Sequence, residues 1–429
     1  MKLVRLFGFV LSLIVINIYF VTATNASGAM ESNDTGSNGL KVEWNVTIGG
    51  NLSDTATSVH ETTDGGYIIA GTTKSFSEPA SIEDADVWLV KLDSSGNIQW
   101  NKTFEDTPSA KNPSVYQTHD GGYVISYSRL GNVIDVIKTD FNGNKEWNKS
   151  TNNQLSYSIS IKEMINNDYL LVGAIKFSSF IIFKTDSNAS PYFNKTVNAF
   201  FAHSFDETSD GGFILTTQQN SDQSINSIKL DNNFNEIWNK DYGESIRNWI
   251  KQVTSESADG NYLIVGSGDY PGCCLNGSTN IFLFKIDLNG NQIWNKSFEG
   301  QGRDVINSMA KSSDNGHILV GGTDSFGHGS HDVWIVRLDS DGNIKWNSTI
   351  GGPFYDSANS IKPTSDGGYI VVGNTTSLAT GEDMWIIKLA QINHSSIGIN
   401  YFNPVNLRPN VTEPNNVSFT VFPDTSDNV

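Results

Sequence analysis

The sequence predicts an all-β protein in which seven similar units close into a ring, and three repeated features carry this prediction. A Trp-Asn marker recurs at spacings of 45 to 56 residues. Between markers, a D-G-G turn precedes an apolar segment such as GYIIAG, and a second apolar segment ends in K-L-D-x-x-G-N or a close variant. Repeats of this length, built from short β-branched and aromatic segments, are typical of ring-shaped β-sheet proteins.

Each unit contains four predicted strands, which we label A to D. Strand A precedes the D-G-G turn, strand B follows it, strand C ends in the K-L-D turn and strand D carries the marker. The turns suit tight hairpins, because Gly accepts positive φ and Asp can bond the turn backbone. The repeat therefore predicts a seven-bladed β-propeller. The A–B–C segments begin near Thr57, Ser114, Tyr157, Ala202, Lys251, Ile306 and Ser357. The markers stand at Trp44, Trp100, Trp147, Phe193 (degenerate), Trp238, Trp294 and Trp346.

The first marker and the last unit are offset from each other. The marker in KVEWNVTIGG, from Lys41, follows no strand C, and the final strand C, MWIIKLAQIN, precedes no marker. We expect residues 42–48 to complete blade seven as its outer strand, so that both ends of the domain close the ring. Deleting residues 42–48 is expected to loosen the whole ring.

The two faces of the predicted ring differ. The A–B and C–D turns lie on one face and are much alike, whereas the D–A and B–C loops lie on the other and vary in length and chemistry. Variable loops on a repeated scaffold are where binding specificity usually resides. The repeated Trp residues, which are Trp88, Trp334 and Trp385 in strand C and the marker Trp in strand D, are interpreted as core between blades.

At these residues the chain resembles a family of exported prokaryotic β-propeller proteins common on archaeal cell surfaces. Blades of that family read W-x-K-T-x-G-G, then D-G-G-Y-I, then D-x-W-[LI]-V-K-L-D-x-x-G-N. The resemblance covers about residues 42–392 and is weakest in units three and four, where strand C lacks Trp. The chain is more distantly similar to quinoprotein-type propellers. The resemblance implies a seven-bladed propeller at or outside the cell surface, but no chemistry, because the fold hosts many functions.

Composition and charge exclude some partners. The chain is 38% apolar, enough to bury a core, and its formal net charge is −18. Such a surface repels nucleic acid and anionic membranes, so we expect neither as a partner. We expect a monomer whose partner is a cell-surface glycan or protein.

The amino terminus predicts export. Lys2 and Arg5 precede a largely apolar run, and Val21-Thr22-Ala23 suits cleavage after Ala23. Residues 1–23 are predicted to be a signal peptide, 24–40 a disordered linker, 41–393 the propeller and 394–429 a Pro- and Asn-rich tail with one strand. We therefore expect a secreted or cell-surface protein with no membrane insertion after cleavage. An uncleaved anchor is the alternative.

Export bears on cysteine and asparagine chemistry. Cys273 and Cys274 are adjacent, so a strained vicinal disulfide, free thiols and an intermolecular bridge all remain open. Fifteen N-x-[S/T] sequons are candidate glycan sites if the host glycosylates, although Asn, Ser and Thr are simply abundant. The candidates at the markers are Asn45, Asn101, Asn148, Asn194, Asn295 and Asn347.

The variable face carries the candidate ligand-binding residues. Aromatic, Arg and carboxylate groups in three D–A loops suit glycans or peptides, with one-off loop packing as the alternative. These residues are Arg247, Trp249, Arg303, Asp304, Phe354, Tyr355 and Asp356. The B–C loop DSFGHGSHD brings Asp324, His328 and His331 close together in sequence as candidate ligands of a transition metal, with a Gly-rich solvated loop as the alternative. Several C–D turns resemble parts of calcium loops but lack the full ligand set, so we interpret them as hairpins and expect no cofactor, with calcium as the alternative.

The sequence contains no G-x-S-x-G, H-E-x-x-H, P-loop or C-x-x-C motif. We identify no catalytic residue and predict a non-enzymatic secreted or cell-surface propeller that acts as a binding or scaffolding module. The alternatives are a propeller enzyme, either a quinone- or metal-dependent oxidoreductase or a glycan-active enzyme, and a structural component of the cell envelope.

Overall fold

The structure is a computed structural model of the 429-residue chain. It describes residues 22–24, 31–32, 39–77, 85–104, 109–129, 133–150, 157–164, 166–175, 179–198, 200–218, 224–245, 252–257, 259–268, 279–298, 300, 302–378 and 381–391. The chain divides into the units Met1–Ile392 and Asn393–Val429. The second unit, which contains the predicted tail, lies outside the described residues.

Seven antiparallel sheets form the first unit, each with strands in the order A-B-C-D. Strands A are β4 (Asp54–Glu61), β8 (Lys111–Gln117), β12 (Tyr157–Glu163), β16 (Phe200–Glu207), β20 (Gln252–Glu256), β24 (Asp304–Lys311) and β28 (Asp356–Pro363). Strands B are β5 (Tyr67–Thr73), β9 (Tyr123–Arg129), β13 (Tyr169–Ile175), β17 (Phe213–Gln218), β21 (Tyr262–Gly268), β25 (His317–Thr323) and β29 (Tyr369–Thr375). Strands C are β6 (Asp86–Leu92), β10 (Val133–Thr139), β14 (Ser179–Thr185), β18 (Ser224–Leu230), β22 (Asn280–Ile286), β26 (Asp332–Leu338) and β30 (Asp383–Gln391). Strands D are β7 (Ile98–Phe104), β11 (Lys145–Ser150), β15 (Pro191–Asn198), β19 (Glu236–Ser245), β23 (Gln292–Phe298), β27 (Ile344–Ile350) and β3 (Leu40–Gly49).

The ring closes as the offset of strand D predicts. β3 pairs antiparallel with β30, with Asn45 opposite Ile387 and Ile48 opposite Met384. Each strand A contacts the strands A of the two neighbouring blades, and the last of these contacts joins β28 to β4. The prediction of a seven-bladed propeller closed by its amino-terminal strand is therefore confirmed.

The core lies between blades. The buried apolar residues of the described chain form seven clusters, and each cluster joins one blade to the next. Trp88, Trp334 and Trp385 are buried in these clusters, which agrees with their interpretation as core. The marker Trp residues of strand D are only partly buried and pack against the edges of the same clusters. Burial between blades explains why strands B and C read as continuous apolar runs, because both faces of each sheet are covered.

Two short segments lie on outer edges of blades. β1 (Thr22–Thr24) pairs with β3 of blade seven, and β2 (Glu31–Ser32) pairs with β27 of blade six. The rest of the predicted signal peptide and most of the predicted linker lie outside the described residues. Within the described part of the chain, no helix is long and apolar enough to cross a membrane.

Candidate functional site

The A–B turns form a structural face of the ring. The strand C cation of six blades extends back to the Asp of the A–B turn in the same blade, which reads D-G-G, D-G-N or D-N-G. The pairs are Lys91–Asp64, Lys138–Asp120, Lys229–Asp210, Lys285–Asp259, Arg337–Asp314 and Lys388–Asp366. Burial disfavours the charged carboxylate of Asp64, but hydrogen bonds from Thr62, Lys91 and the Gly66 N–H outweigh it and lower its pKa to about 2. The repeated carboxylates of these turns are thus occupied by the protein itself.

The C–D turns on the same face are hydrogen-bonded hairpins. Asp93 Oδ1 accepts the N–H groups of Ser95 and Asn97, and its Oδ2 accepts the Asn97 amide, each across 2.9 Å. The same pattern recurs at Asp140, Asp231, Asp287 and Asp339. The Asn97 amide and the turn N–H groups lower the pKa of Asp93 despite some desolvation. This geometry is that of the predicted hairpin turn.

On the variable face, the D–A loops that lead into blades one, six and seven share one frame of hydrogen bonds. In blade six, Asp304 accepts the hydroxyls of Thr323 and Ser325 across 2.6 and 2.7 Å. Ser325 Oγ also accepts the Gly302 N–H across 2.8 Å, so the end of strand B holds the loop. The corresponding residues are Asp54, Thr73, Ser75 and Leu52 for blade one, and Asp356, Thr375, Ser377 and Phe354 for blade seven. We call this arrangement the Asp–Thr–Ser clamp.

The clamp corrects the interpretation of two predicted ligand-binding residues. Asp304 and Asp356 are almost fully buried, and both carboxylate oxygens of each accept hydrogen bonds from the protein. Burial raises the pKa of Asp304, and the Thr323 and Ser325 hydroxyls oppose this by stabilising the charged form. Both aspartates therefore hold the loops, and they are not exposed to a ligand.

The two residues before each clamp aspartate differ from blade to blade. They are Leu52 and Ser53 for blade one, Gly302 and Arg303 for blade six, and Phe354 and Tyr355 for blade seven. Arg303, Phe354 and Tyr355, all predicted as ligand-binding residues, are exposed. The clamp thus presents a variable residue pair from a constant backbone frame, as recognition loops on a rigid scaffold do.

Four exposed apolar side chains lie in loops of blades six and seven on the variable face. Phe354 is 59% exposed, Tyr355 44%, Phe326 43% and Leu378 37%. We call these four residues the blade six–seven patch. Phe354 N–H donates to Ser377 Oγ across 3.0 Å, next to Leu378, and Tyr355 N–H donates to Thr376 Oγ1 across 2.9 Å. The patch therefore rests on backbone that the clamp holds in place.

Two of the three predicted metal ligands meet beneath this patch. His331 Nδ1 lies within hydrogen-bond distance of Asp324 Oδ1, and the buried imidazole stacks on the Tyr355 ring at 4.7 Å with 9° between planes. His328 is exposed, and its backbone N–H donates to Asp332 Oδ2 across 2.9 Å. Across the described residues, no three His, Cys, Asp or Glu side chains are placed to hold a metal ion. His331 thus packs against the Tyr355 ring and bonds to Asp324.

The candidate glycan acceptors fall into two groups. Asn148, Asn194 and Asn295 are exposed on outer strands. Asn45 is 8% exposed, and its Oδ1 accepts the Trp385 indole N–H across 3.1 Å. Asn101 and Asn347 are partly buried and accept indole N–H groups in the same way. The other predicted residues Arg247, Trp249, Cys273 and Cys274 lie outside the described residues.

Sequence analysis overlooked the clamp, although the chain carries a signal for it. A T-x-S triplet ends strand B only in units one, six and seven, the units whose strand A begins with Asp. The Asp of strand A and the T-x-S triplet therefore occur in the same units, and the Asp and the Thr that bond to each other are about 20 positions apart. The composition of the loops around Asp304 and Asp356 predicts exposed, ligand-binding side chains. It does not reveal that each aspartate has a hydroxyl partner on the next strand.

Comparisons with known proteins support the fold alone. No protein-family model matches the sequence, and no curated protein matches it. Among solved structures, the chain is similar to one described as the structure of the Dos1 propeller, with a TM-score of 0.50 and 13% sequence identity. That similarity covers 83% of this chain and 88% of the other. The geometry and this likeness together identify the protein as a seven-bladed β-propeller.

Proposed function

We propose that the protein is a non-enzymatic, secreted or cell-surface β-propeller that acts as a binding module and recognises a cell-surface glycan or protein through the blade six–seven patch. The observation that carries this proposal is the rigid display of Phe354 and Tyr355. Both rings are exposed, and their backbone is held by Ser377 and Thr376. Large apolar contacts from a pre-ordered loop lose little conformational entropy on binding, which is the property of binding hot spots.

The charges around the patch indicate the chemistry of its partner. Asp324 and Arg303 are exposed on neighbouring loops of the same face and can supply polar contacts around the apolar centre. The formal net charge of −18 disfavours anionic ligands. A neutral glycan or a neutral to basic protein therefore fits better than a phosphorylated or sulfated ligand.

The face formed by the A–B and C–D turns is less suited to binding, which supports placing recognition on the variable face. The repeated carboxylates of these turns are bonded to buried Lys or Arg side chains or to their own turns. Groups already bonded within the protein gain little from a ligand, because binding must first break those bonds. The variable face instead presents residues that differ between blades on an unchanging frame.

The direct test is a binding screen on glycan arrays and on purified cell-surface fractions, followed by titration of any hit. The test variant is F354L/Y355S, which approximates the Leu52-Ser53 pair that the same clamp holds before blade one. Loss of the two rings is expected to weaken binding about tenfold or more. The control is Phe141→Leu, which removes an exposed ring from a C–D turn on the opposite face and should leave affinity unchanged.

Two results would contradict the proposal. One is a ligand whose affinity is unchanged in F354L/Y355S, because recognition would then lie elsewhere. The other is a stoichiometric metal or quinone in protein purified from its native host, detected by elemental analysis and absorbance, because that would favour an oxidoreductase.

A further inference from the structure

Asp383 stands at the seam where the amino-terminal strand closes the ring. It is the first residue of β30 and lies opposite the end of β3. A Cβ built on Gly49 would lie 2.1 Å from Asp383 Oδ1, so the two strands approach closely there. Blade six repeats this packing, since a Cβ on Gly351 would lie 2.0 Å from Asp332 Oδ1.

The two equivalent aspartates differ in their hydrogen bonds. Asp332 Oδ2 accepts the backbone N–H groups of His328 and Gly329 across 2.9 and 3.0 Å. Asp383 is 4% exposed, and its buried Oδ1 has no hydrogen-bond partner among the described residues. An ionised carboxylate in such a position would carry a desolvation cost, because Oδ1 has no donor to offset it.

The neighbouring carboxyl groups accept several of the donors near Asp383. Asp54 accepts the hydroxyls of Thr73 and Ser75 and the N–H of Gly50. Glu382 accepts Ser53 Oγ and the Asn374 amide, both across 2.6 Å. Asp383 therefore lies beside two carboxyl groups, each of which accepts side-chain donors, whereas its own Oδ1 has no hydrogen-bond partner among the described residues.

The groups that face Asp383 all favour its neutral form, apart from one backbone N–H. Burial has the largest effect, followed by repulsion from Asp54 at the start of β4 and from the adjoining Glu382, and together they raise the pKa of Asp383 to about 7. The Gly50 N–H opposes this shift. The residue opposite Asp383 in β29, Thr375, is uncharged and donates its hydroxyl to Asp356.

We propose that Asp383 is a proton-dependent lock on the ring: while its carboxyl group is neutral, β3 and β30 pack tightly, and ionisation of this single side chain loosens the seam. The native state holds this proton more tightly than the unfolded chain, where the ordinary pKa is 3.8. Stability is therefore lost as pH rises from about 4 through 7, and the loss is complete once the native carboxyl has ionised.

The test compares melting temperatures from pH 5 to pH 8.5 for the wild type, Asp383→Asn and Asp332→Asn, with EDTA in every buffer. The Asp383→Asn variant keeps the shape of the side chain but cannot ionise. It is expected to melt about 2–4 °C above the wild type at pH 8.5. At pH 5 the two should melt within about 1 °C of each other.

The Asp332→Asn control alters a carboxylate at the same position of blade six that has two N–H donors. It should melt below the wild type throughout this range and keep the wild-type pH dependence, because Asp383 is intact. If Asp383→Asn loses stability with rising pH as steeply as the wild type, the proposal is wrong. In a parallel series with calcium in place of EDTA, stabilisation of the wild type that disappears in Asp383→Asn would also overturn it, in favour of a cation at this site.

A second measurement needs no variant. Amide hydrogen exchange of the wild type, corrected for the intrinsic pH dependence of exchange, should show protection of residues 40–49 and 383–391 falling between pH 6 and pH 8. Protection of β22 in blade five should stay constant over this range. Equal changes in both regions would contradict a local lock, because ionisation at the seam should act there first.

Discussion

Trp88 donates its indole N–H to Asn101 Oδ1 across 3.3 Å, which links strand C of blade one to the marker in its strand D. Trp334 with Asn347 and Trp385 with Asn45 repeat the bond at 3.3 and 3.1 Å. Where strand C has another residue at this position, the marker Asn is exposed in blades two, three and five. The marker Asn thus bonds to strand C at this position where strand C carries Trp, and in blade four where it carries Asn226.

Removal of the indole acceptor should destabilise only blades with this bond. We expect Asn347→Ala to lower the free energy of unfolding by about 1–3 kcal/mol, because it leaves the indole N–H of the buried Trp334 unpaired. The matched control is Asn148→Ala in blade two, where Asp135 stands at the Trp position and Asn148 is exposed. Denaturant unfolding measures both. Equal losses in the two variants would mean that the bond contributes nothing.

The Lys–Asp pairs of the A–B turns should determine how far the pH can fall before the protein loses stability. Partial burial opposes ionisation of Asp210, but bonds from Lys229 and Thr208 hold its pKa at about 2, against 3.8 in an unfolded chain. The native carboxylate keeps its charge when the unfolded one does not, so stability is present above pH 4 and is lost as pH falls toward 2. Asp64 and Asp366 add the same dependence, since their pKa values are also about 2.

An Asp210→Asn variant tests this dependence. It should lose about 1–2 kcal/mol at pH 7, less than a fully buried pair because the carboxylate is half exposed. Its further loss between pH 4 and pH 2 should be smaller than that of the wild type. Lys184→Met is the control, because Lys184 of blade three lies over the Phe234 ring at 4.8 Å and forms no ion pair with a turn carboxylate among the described residues. If acid melting curves of Asp210→Asn and wild type run parallel, the pair does not set the limit.

The glycines of the C–D turns adopt a positive φ and also leave space for a Trp ring of the preceding blade. Two substitutions separate these two effects. Gly290 has φ +75°, and a Cβ there would lie 2.8 Å from ring atoms of Trp238 in the preceding blade. Gly121, in an A–B turn, has φ +83° with nothing within 4 Å of its Cβ position. We expect Gly121→Ala to cost about 1 kcal/mol from backbone strain. Gly290→Ala should cost about 1–3 kcal/mol more, because the Trp must also move. Equal losses in thermal melts would show that the indole adapts freely.

The closing strand should stabilise the ring as a whole. β3 places Val46 and Ile48 in the core between blades seven and one, so its loss opens that interface and exposes the edge of β30. Deletion of residues 42–48 is expected to lower the melting temperature by more than about 5 °C. A synthetic peptide of residues 40–49 added to the deleted protein should recover part of the loss, whereas a scrambled peptide should not. An unchanged melting temperature after the deletion would refute the latch.

Sequence alone determined the ring, the number of blades and the strand that closes it. Those conclusions depend on the repeat of Trp-Asn, D-G-G and K-L-D segments, whose turn chemistry and apolar alternation act over a few residues. The same repeat identified Phe193 as a degenerate marker. The structure shows how that change is accommodated: Phe234, with φ 61°, takes the place of the turn glycine, and its ring lies 5.5 Å from that of Phe193.

Tertiary structure decided which polar residues are available for function. Asp304 and Asp356 look like loop residues in sequence. In the structure they are buried and accept hydrogen bonds from hydroxyls on the next strand, whereas Phe354 and Tyr355 are exposed. Asp332 and Asp383 occupy equivalent positions, yet Asp332 Oδ2 accepts two backbone N–H groups, whereas Asp383 Oδ1 has no hydrogen-bond partner among the described residues. Burial and pairing depend on side chains brought together from distant parts of the chain, so a pattern that acts locally predicts the strands and not the state of the groups between them.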